Sequence, residues 1–133
     1  MSWDPFAQGV VAQGTFDKVI VVDSTGQTTW GKGGPIEVSD EEISVIVGAF
    51  TDPQGVRSKG PEFEGEKYVL NKIDDDADIP IMLVQKTTST GKQGIVAAKC
   101  NKAVFIAHYL EASSPIEAIS SAVTQAAHIN KYT

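Results

Sequence analysis

The apolar positions change period several times along the chain. From Ser2 to about Gln13, Trp3, Phe6 and Val10 recur at i, i+3 and i+7, which predicts a short N-terminal helix. Ser2 would be its N-cap and Pro5 is tolerated in its first turn, while Gly9 weakens it and Gly14 ends it. Lys18 to Asp23 carries the continuous β-branched run Val19-Ile20-Val21-Val22, the pattern of a strand covered on both faces. Ser24-Thr25-Gly26-Gln27 reads as a hairpin turn, with Thr28-Thr29-Trp30 as a return strand cut short by Gly31, Gly33, Gly34 and Pro35. Helical spacing returns with Ile43, Ile46, Val47 and Phe50. They follow Ser39-Asp40-Glu41-Glu42, a capping box whose acids face the positive helix end.

After Asp52-Pro53-Gln54-Gly55 the period changes to that of short strands, expected at 56–58, 62–64, 66–73, 79–87, 95–99 and 103–110. Breaks fall at Asp74–Asp78, Ser89–Gly94 and Cys100–Lys102, and hairpins so spaced imply an antiparallel sheet. The last element is a helix with Ser114 as N-cap, Pro115 at N1 and Glu117 at N3. On a helical wheel Ile116, Ile119, Val123 and Ala126 share one face, while Glu117, Ser121, Thr124 and His128 lie on another. These elements predict an α+β fold: a central antiparallel sheet with the N- and C-terminal helices packed on one face and a shorter helix, near 39–48, on the other. No repeat or low-complexity linker interrupts the chain, so residues 1–133 are expected to form a single domain.

Composition narrows the function classes. With 133 residues, 41% of them apolar, the chain has enough for one core. Eleven Lys and Arg against seventeen Asp and Glu give a formal charge of −6, which disfavours nucleic acid and anionic lipid as partners. Cys100 is the sole cysteine, which excludes an intramolecular disulfide framework and fits a reducing, cytoplasmic setting. No apolar run approaches the roughly 20 residues of a membrane span, and Met-Ser-Trp-Asp-Pro-Phe is not a secretory leader.

The candidate chemistry is aromatic. Were the terminal helices side by side, Trp3, Phe6, Trp30, His128 and Tyr132 would converge into an exposed shelf. Trp3, Phe6 and Trp30 taken singly read as core residues. His128 and Tyr132, at i and i+4 and off the Ile119/Val123 stripe, read as outward-facing. A polyproline II segment suits such a shelf, because its rings stack on aromatics and its solvated carbonyls accept from indole, phenol and imidazole donors.

Met-Ser-Trp with an aromatic three residues on, the Val-Ile-Val-Val strand, Trp30 and Ala126-Ala127-His128-Ile129 together resemble the profilin family. Glu42-Ile43-Ser44-Val45-Ile46-Val47-Gly48 sits where profilins have their second helix. Gly65-Glu66-Lys67-Tyr68 resembles the family's Gly-x-Lys-x strand, and Ser89-Thr90-Gly91 fits its late hairpin. The likeness spans essentially the whole chain, and the ordered combination of these short motifs is what makes it specific.

The resemblance implies a monomeric, cytoskeleton-associated protein that binds monomeric actin, docks proline-rich partners such as formins and regulates filament assembly. Proline binding would fall on Trp3, Phe6, Trp30, His128 and Tyr132. Position 6 is commonly Tyr in the family, so Phe6 lacks one hydroxyl donor, and His128 stands closer to the terminal aromatic than in animal profilins. Actin binding would fall by position on Lys67, Val69, Lys72, Lys86, Ser120, Ser121 and Thr124. The helix positions are small and polar where many profilins carry Lys, Tyr and Glu, and the lysines also read as a solvated strand face. Phosphoinositide binding, reported of the family, is expected to be weak at most. Arg57 is the sole arginine, and only Lys59, Lys86 and Lys92 stand as contributors.

No cofactor, metal or catalytic role is expected. With loop position 1 at Asp74, a calcium loop would need Gly at position 6 and Glu at 12, where the chain has Ile79 and Gln85. There is no G-x-S-x-G elbow, Walker loop or HExxH motif. Two rival readings remain: a profilin-like or longin-like scaffold without actin binding, and a small enzyme or small-molecule binder, which a closed pocket near His108 and Cys100 would favour.

Overall fold

The computed structural model describes residues 3–52, 54, 60–74, 78–88, 91–110 and 114–133, with the side chains at 87, 88, 91 and 92 left aside. The helices are α1 (Asp4–Ala12), α2 (Asp40–Ala49) and α3 (Pro115–Tyr132). The strands are β1 (Lys18–Asp23), β2 (Thr29–Gly33), β3 (Glu62–Phe63), β4 (Glu66–Lys67), β5 (Val69–Asp74), β6 (Ile81–Thr88), β7 (Gly91–Lys99) and β8 (Ala103–Tyr109). Six strands form one sheet in the order β2-β1-β8-β7-β6-β5, every neighbouring pair antiparallel, and β3-β4 form a separate hairpin.

Alternation along the strands, broken by one extra residue in β2 and one in β5, sends successive side chains to opposite faces, so the sheet carries two cores. Val19, Val21, Leu83, Val96, Phe105 and Ala107 meet Ala7 and Val10 of α1 and Ala118, Ala122, Ala126 and Ile129 of α3. Ile20, Val22, Met82, Val84, Ile95 and Ile106 meet Ile43, Ile46 and Ala49 of α2. The two-faced α+β architecture expected from the sequence is the one observed. Strands buried on both faces have no polar side to show, which is why β1 and β8 read as unbroken apolar runs.

The differences are local. Helix α1 begins at Asp4, with Trp3 at its N-cap and no side-chain capping bond there, and Ser2 lies outside the described residues. Strand β2 does not stop at Gly31 but runs through Gly33, because the first turns of α1 lie on its backbone where side chains would otherwise stand. The 66–73 segment divides, Glu66–Lys67 pairing with β3 and Val69–Asp74 becoming the sheet edge. Strand β7 starts at Gly91 rather than after Gly94, pairing up to Thr88↔Gly91. The strand expected at 56–58 and part of the acidic run 74–78 lie outside the described residues.

The α3 wheel also shifts. Its packing face is Ala118, Ala122, Gln125, Ala126 and Ile129, and Ile116, expected inward, is 80% exposed. Ile119 and Val123, also expected inward, are half-buried against that core, while the alanines and Ile129 fill the centre of the contact face.

The α2 capping box is present as expected, and Glu42 does more than cap. Its carboxylate accepts from Ser39 N (2.9 Å), Glu64 N (3.1 Å) and Gly65 N (2.8 Å), pinning the β3–β4 turn to the helix N-terminus. Burial pushes this carboxyl up, but the backbone donors outweigh it and hold it below the usual glutamate range.

Candidate functional site

The two chain ends meet on one side of the sheet. Trp3 stacks on Trp30 with ring centroids 6.2 Å apart and meets Phe6 edge-on at 5.3 Å. Phe6 stacks on His128 at 5.3 Å with the planes 8° from parallel, and His128 meets Tyr132 at 4.8 Å. All five aromatic candidates therefore form one unbroken strip running Trp30, Trp3, Phe6, His128, Tyr132. Trp3, Phe6 and Trp30 are half-buried with one side packed against the core, so they are neither sealed core residues nor free ones. His128 is exposed and Tyr132 is 61% exposed, with Lys131 Nζ 5.6 Å from the Tyr132 ring centre.

The chemistry of such a strip is that of a flat apolar ledge edged with polar handles. Its four centroid spacings of 4.8 to 6.2 Å span at most about 22 Å, which a polyproline II helix rising ~3.1 Å per residue covers in about seven residues.

The second candidate set does not come together as one patch. Val69 and Lys72 of β5 stand opposite Gln85 and Leu83, on the sheet face that carries α1 and α3. Val69 is 68% exposed and Lys72 is exposed, and the β5 bulge at Asn71 ends in an Asn71–Gln85 side-chain hydrogen bond. Ser120 and Thr124 are exposed on α3 on that same side, Ser121 is half-buried, and the Thr124 hydroxyl donates to Ser120 O at 3.0 Å. Lys86 follows the opposite alternation and faces the α2 side. There its ammonium is 3.4 Å from Glu66 and 5.3 Å from the Tyr68 ring centre. Lys67 is exposed on the separate β3–β4 hairpin, paired with Glu62. Sequence position alone could not show this division, because strand alternation and the Asn71 bulge decide which face each lysine takes.

The α2 side also holds an open cleft of about 490 Å³ lined by Asp17, Lys18, Glu64, Tyr68, Lys86 and His108 among others. Several of its polar groups are matched to one another. Lys18 pairs with Glu64 (2.5 Å), and His108 Nδ1 lies 2.6 Å from Asp17 and Nε2 3.2 Å from Gln93 Oε1. Burial raises the Tyr68 hydroxyl well above the ordinary phenol range, and Glu64 and Glu66 add to the shift. Cys100 is on the opposite face, in the core under α1 and α3, where burial pushes its thiol up to about 11. His108 and Cys100 thus share no pocket, and the feature that would have favoured a nucleophilic enzyme is not formed by these residues.

Arg57 and Lys59 lie outside the described residues, as does the Lys92 side chain. No described helix is long and apolar enough to cross a membrane. Among the described residues no group of three His, Cys, Asp or Glu is placed to hold a metal ion.

Comparison with known proteins agrees with the fold. The family model described as profilin matches residues 1–131. The profilin of Saccharomyces cerevisiae is 28% identical over 109 residues, covering 82% of this chain and 80% of its own length. Among solved structures, Acanthamoeba castellanii profilin II superposes with a TM-score of 0.81 at 23% identity, over 98% of each chain. Mouse profilin IIa in complex with a double repeat from the FH1 domain of mDia1 superposes at 0.80 with 12% identity, over 99% of each chain.

Proposed function

The chain belongs to the profilin family, and from that membership and the strip of five rings we propose that it binds monomeric actin, docks polyproline II segments and so regulates filament assembly. The observation that carries the reading is the continuity of the strip across both chain ends. Proline rings would lie on Trp3, Phe6, Trp30, His128 and Tyr132, and ligand carbonyls would accept from the indole, imidazole and phenol donors. The mouse profilin solved with a formin FH1 repeat supports this class of partner.

Actin is the proposed partner of the β5 edge and the outward side of α3, with Val69, Lys72, Ser120, Ser121 and Thr124 as contacts and Lys72 meeting an acidic surface. Lys67 and Lys86 belong to the family-based set but face elsewhere, which makes them the weaker members. The role is that of a single-domain, non-catalytic adaptor acting in the cytoplasm, gathering monomers near proline-rich elongation factors. Binding to phosphoinositides is expected to be weak at a net charge of −6.

Intrinsic tryptophan fluorescence titrated with decaproline tests the first half, since Trp3 and Trp30 both lie on the strip. Saturable change in the wild type, with most of the response lost in Trp3→Ala, is expected. Pyrene-actin assembly tests the second half. A second reading, a scaffold that docks proline-rich segments without actin, is favoured by the small polar residues Ser120, Ser121 and Thr124 on α3. Unchanged actin assembly at excess protein would select it.

A further inference from the structure

The strip depends on a backbone contact that none of its rings makes. Val21 pairs with Gly31 and Val22 with Thr29, which leaves Trp30 as the extra residue of a bulge in β2. A bulge re-aims its side chain out of the alternating pattern. Here it brings Trp30 to the side of the sheet that carries α1, against Trp3.

The start of α1 lies directly on the strand beside it. Trp3 N donates to Trp30 O at 3.0 Å, and Lys32 N donates to Asp4 Oδ1 at 2.8 Å. A Cβ at Gly31 would fall 2.6 Å from the Trp3 carbonyl oxygen and 2.7 Å from the Asp4 nitrogen, and one at Gly33 would overlap the Ala7 carbonyl. These are backbone atoms of a helix and cannot swing aside. Neither glycine is among the positive-φ residues, so close approach, and not a left-handed turn, is the reason for glycine here. Gly31 is buried, so a ligand on the rings would not touch it.

We propose that Gly31 and Asp4 are positioning residues of the aromatic strip, Gly31 by letting the α1 start lie on the edge strand and Asp4 by clamping it there. This rests on the proline-binding reading for its consequence and on the backbone geometry for its cause. With the seat intact, Trp3 and Trp30 present one preformed face, and the ligand meets no cost of ordering it.

The test is decaproline titration of the full chain as wild type, Gly31→Ala, Asp4→Ala and Asp4→Asn, with near-UV circular dichroism of each free protein and pyrene-actin assembly alongside. Gly31→Ala is expected to weaken decaproline binding tenfold or more and to change the indole dichroism, with far-UV signal and actin response unchanged. Asp4→Ala is expected to weaken it threefold or more, while Asp4→Asn, which keeps an Oδ1 acceptor, stays within twofold of wild type. Gly31→Ala within twofold of wild type and with an unchanged indole band overturns the assignment of Gly31, and equal losses in Asp4→Ala and Asp4→Asn overturn that of Asp4. A wild type that ignores decaproline refutes the proline reading instead. The positioning claim is then judged by the indole band alone, an unchanged band in Gly31→Ala refuting it. Should Gly31→Ala not fold, the Asp4 pair decides on the same criteria.

Discussion

Restoring a hydroxyl at position 6 isolates one bond of the proposed proline site. Phe6 sits in the middle of the strip, stacked on His128 at 5.3 Å and edge-on to Trp3 at 5.3 Å, and is half-buried. Phe6→Tyr leaves both ring contacts in place and adds a single donor at the rim. A neutral hydrogen bond is worth about 1 kcal/mol net, so decaproline affinity should rise about fivefold at ~1.4 kcal/mol per tenfold. Phe6→Ala removes the central ring on which a proline would stack and the two contacts that join the halves of the strip, predicting a loss of about tenfold. Calorimetric titration with decaproline measures both. If Phe6→Ala weakens binding while Phe6→Tyr changes it less than twofold, the missing hydroxyl is not what distinguishes this site. If neither moves, the ligand does not cross the centre of the strip.

Three further outcomes follow from the geometry. Glu42 is held below its ordinary value in the fold, so its contribution is complete above about pH 4.5 and is lost as pH falls through the folded value. Acid unfolding of Glu42→Gln should be less pH-dependent there than wild type, and its neutral-pH stability lower by about 1–3 kcal/mol in urea titrations. With its thiol near 11 and buried, Cys100 should resist a thiol reagent at pH 8 in the folded state and react fully in denaturant. Equal retardation of the two would refute its placement. On the actin side, Lys72→Glu should weaken monomer sequestration about tenfold, while Lys86→Ala, already matched by Glu66 on the other face, should change it less than twofold. The reverse order would show that the sheet face is misassigned.

How much of this was legible in the residues depends on which interactions are local. The capping box at Ser39, the Ser114 N-cap and the β1 run declare themselves within a few positions, and they stand where expected. The five rings were legible as a set, because spacing put His128 and Tyr132 on one helix face and the two-helix layer brings Trp3 and Phe6 to them. Packing at close range is what local sequence does not carry. Gly31 and Gly33 look like strand breakers until the helix on top of them is known, and Ile116 looks like core until alanines prove to be the α3 contact face. The lysines of the proposed actin set divide for a similar reason. One extra residue at Asn71 and a two-residue hairpin redirect side chains in ways that no periodicity encodes.

The sheet order bears on whether the two proposed partners exclude one another. The strip is anchored at β2 and the exposed Val69 and Lys72 at β5, the opposite edges of the six-stranded sheet. Five inter-strand spacings of ~4.8 Å put those edges about 24 Å apart, more than the ~10–12 Å width of an α-helix. A polyproline II segment at one edge therefore leaves the other open, although both ligands would touch α3, the strip through His128 and Tyr132 and actin through Ser120 and Thr124. The nearest of these, Thr124 and His128, lie four positions apart on that helix, about 6 Å at 1.5 Å rise, so α3 is where the two ligands would approach most closely while their main surfaces stay at opposite sheet edges. Decaproline affinity measured with and without saturating monomeric actin should agree within about threefold, and a ternary complex should sediment as one species. Mutual exclusion would mean that actin reaches across α3 to the rings, and the separation of the two surfaces would have to be abandoned.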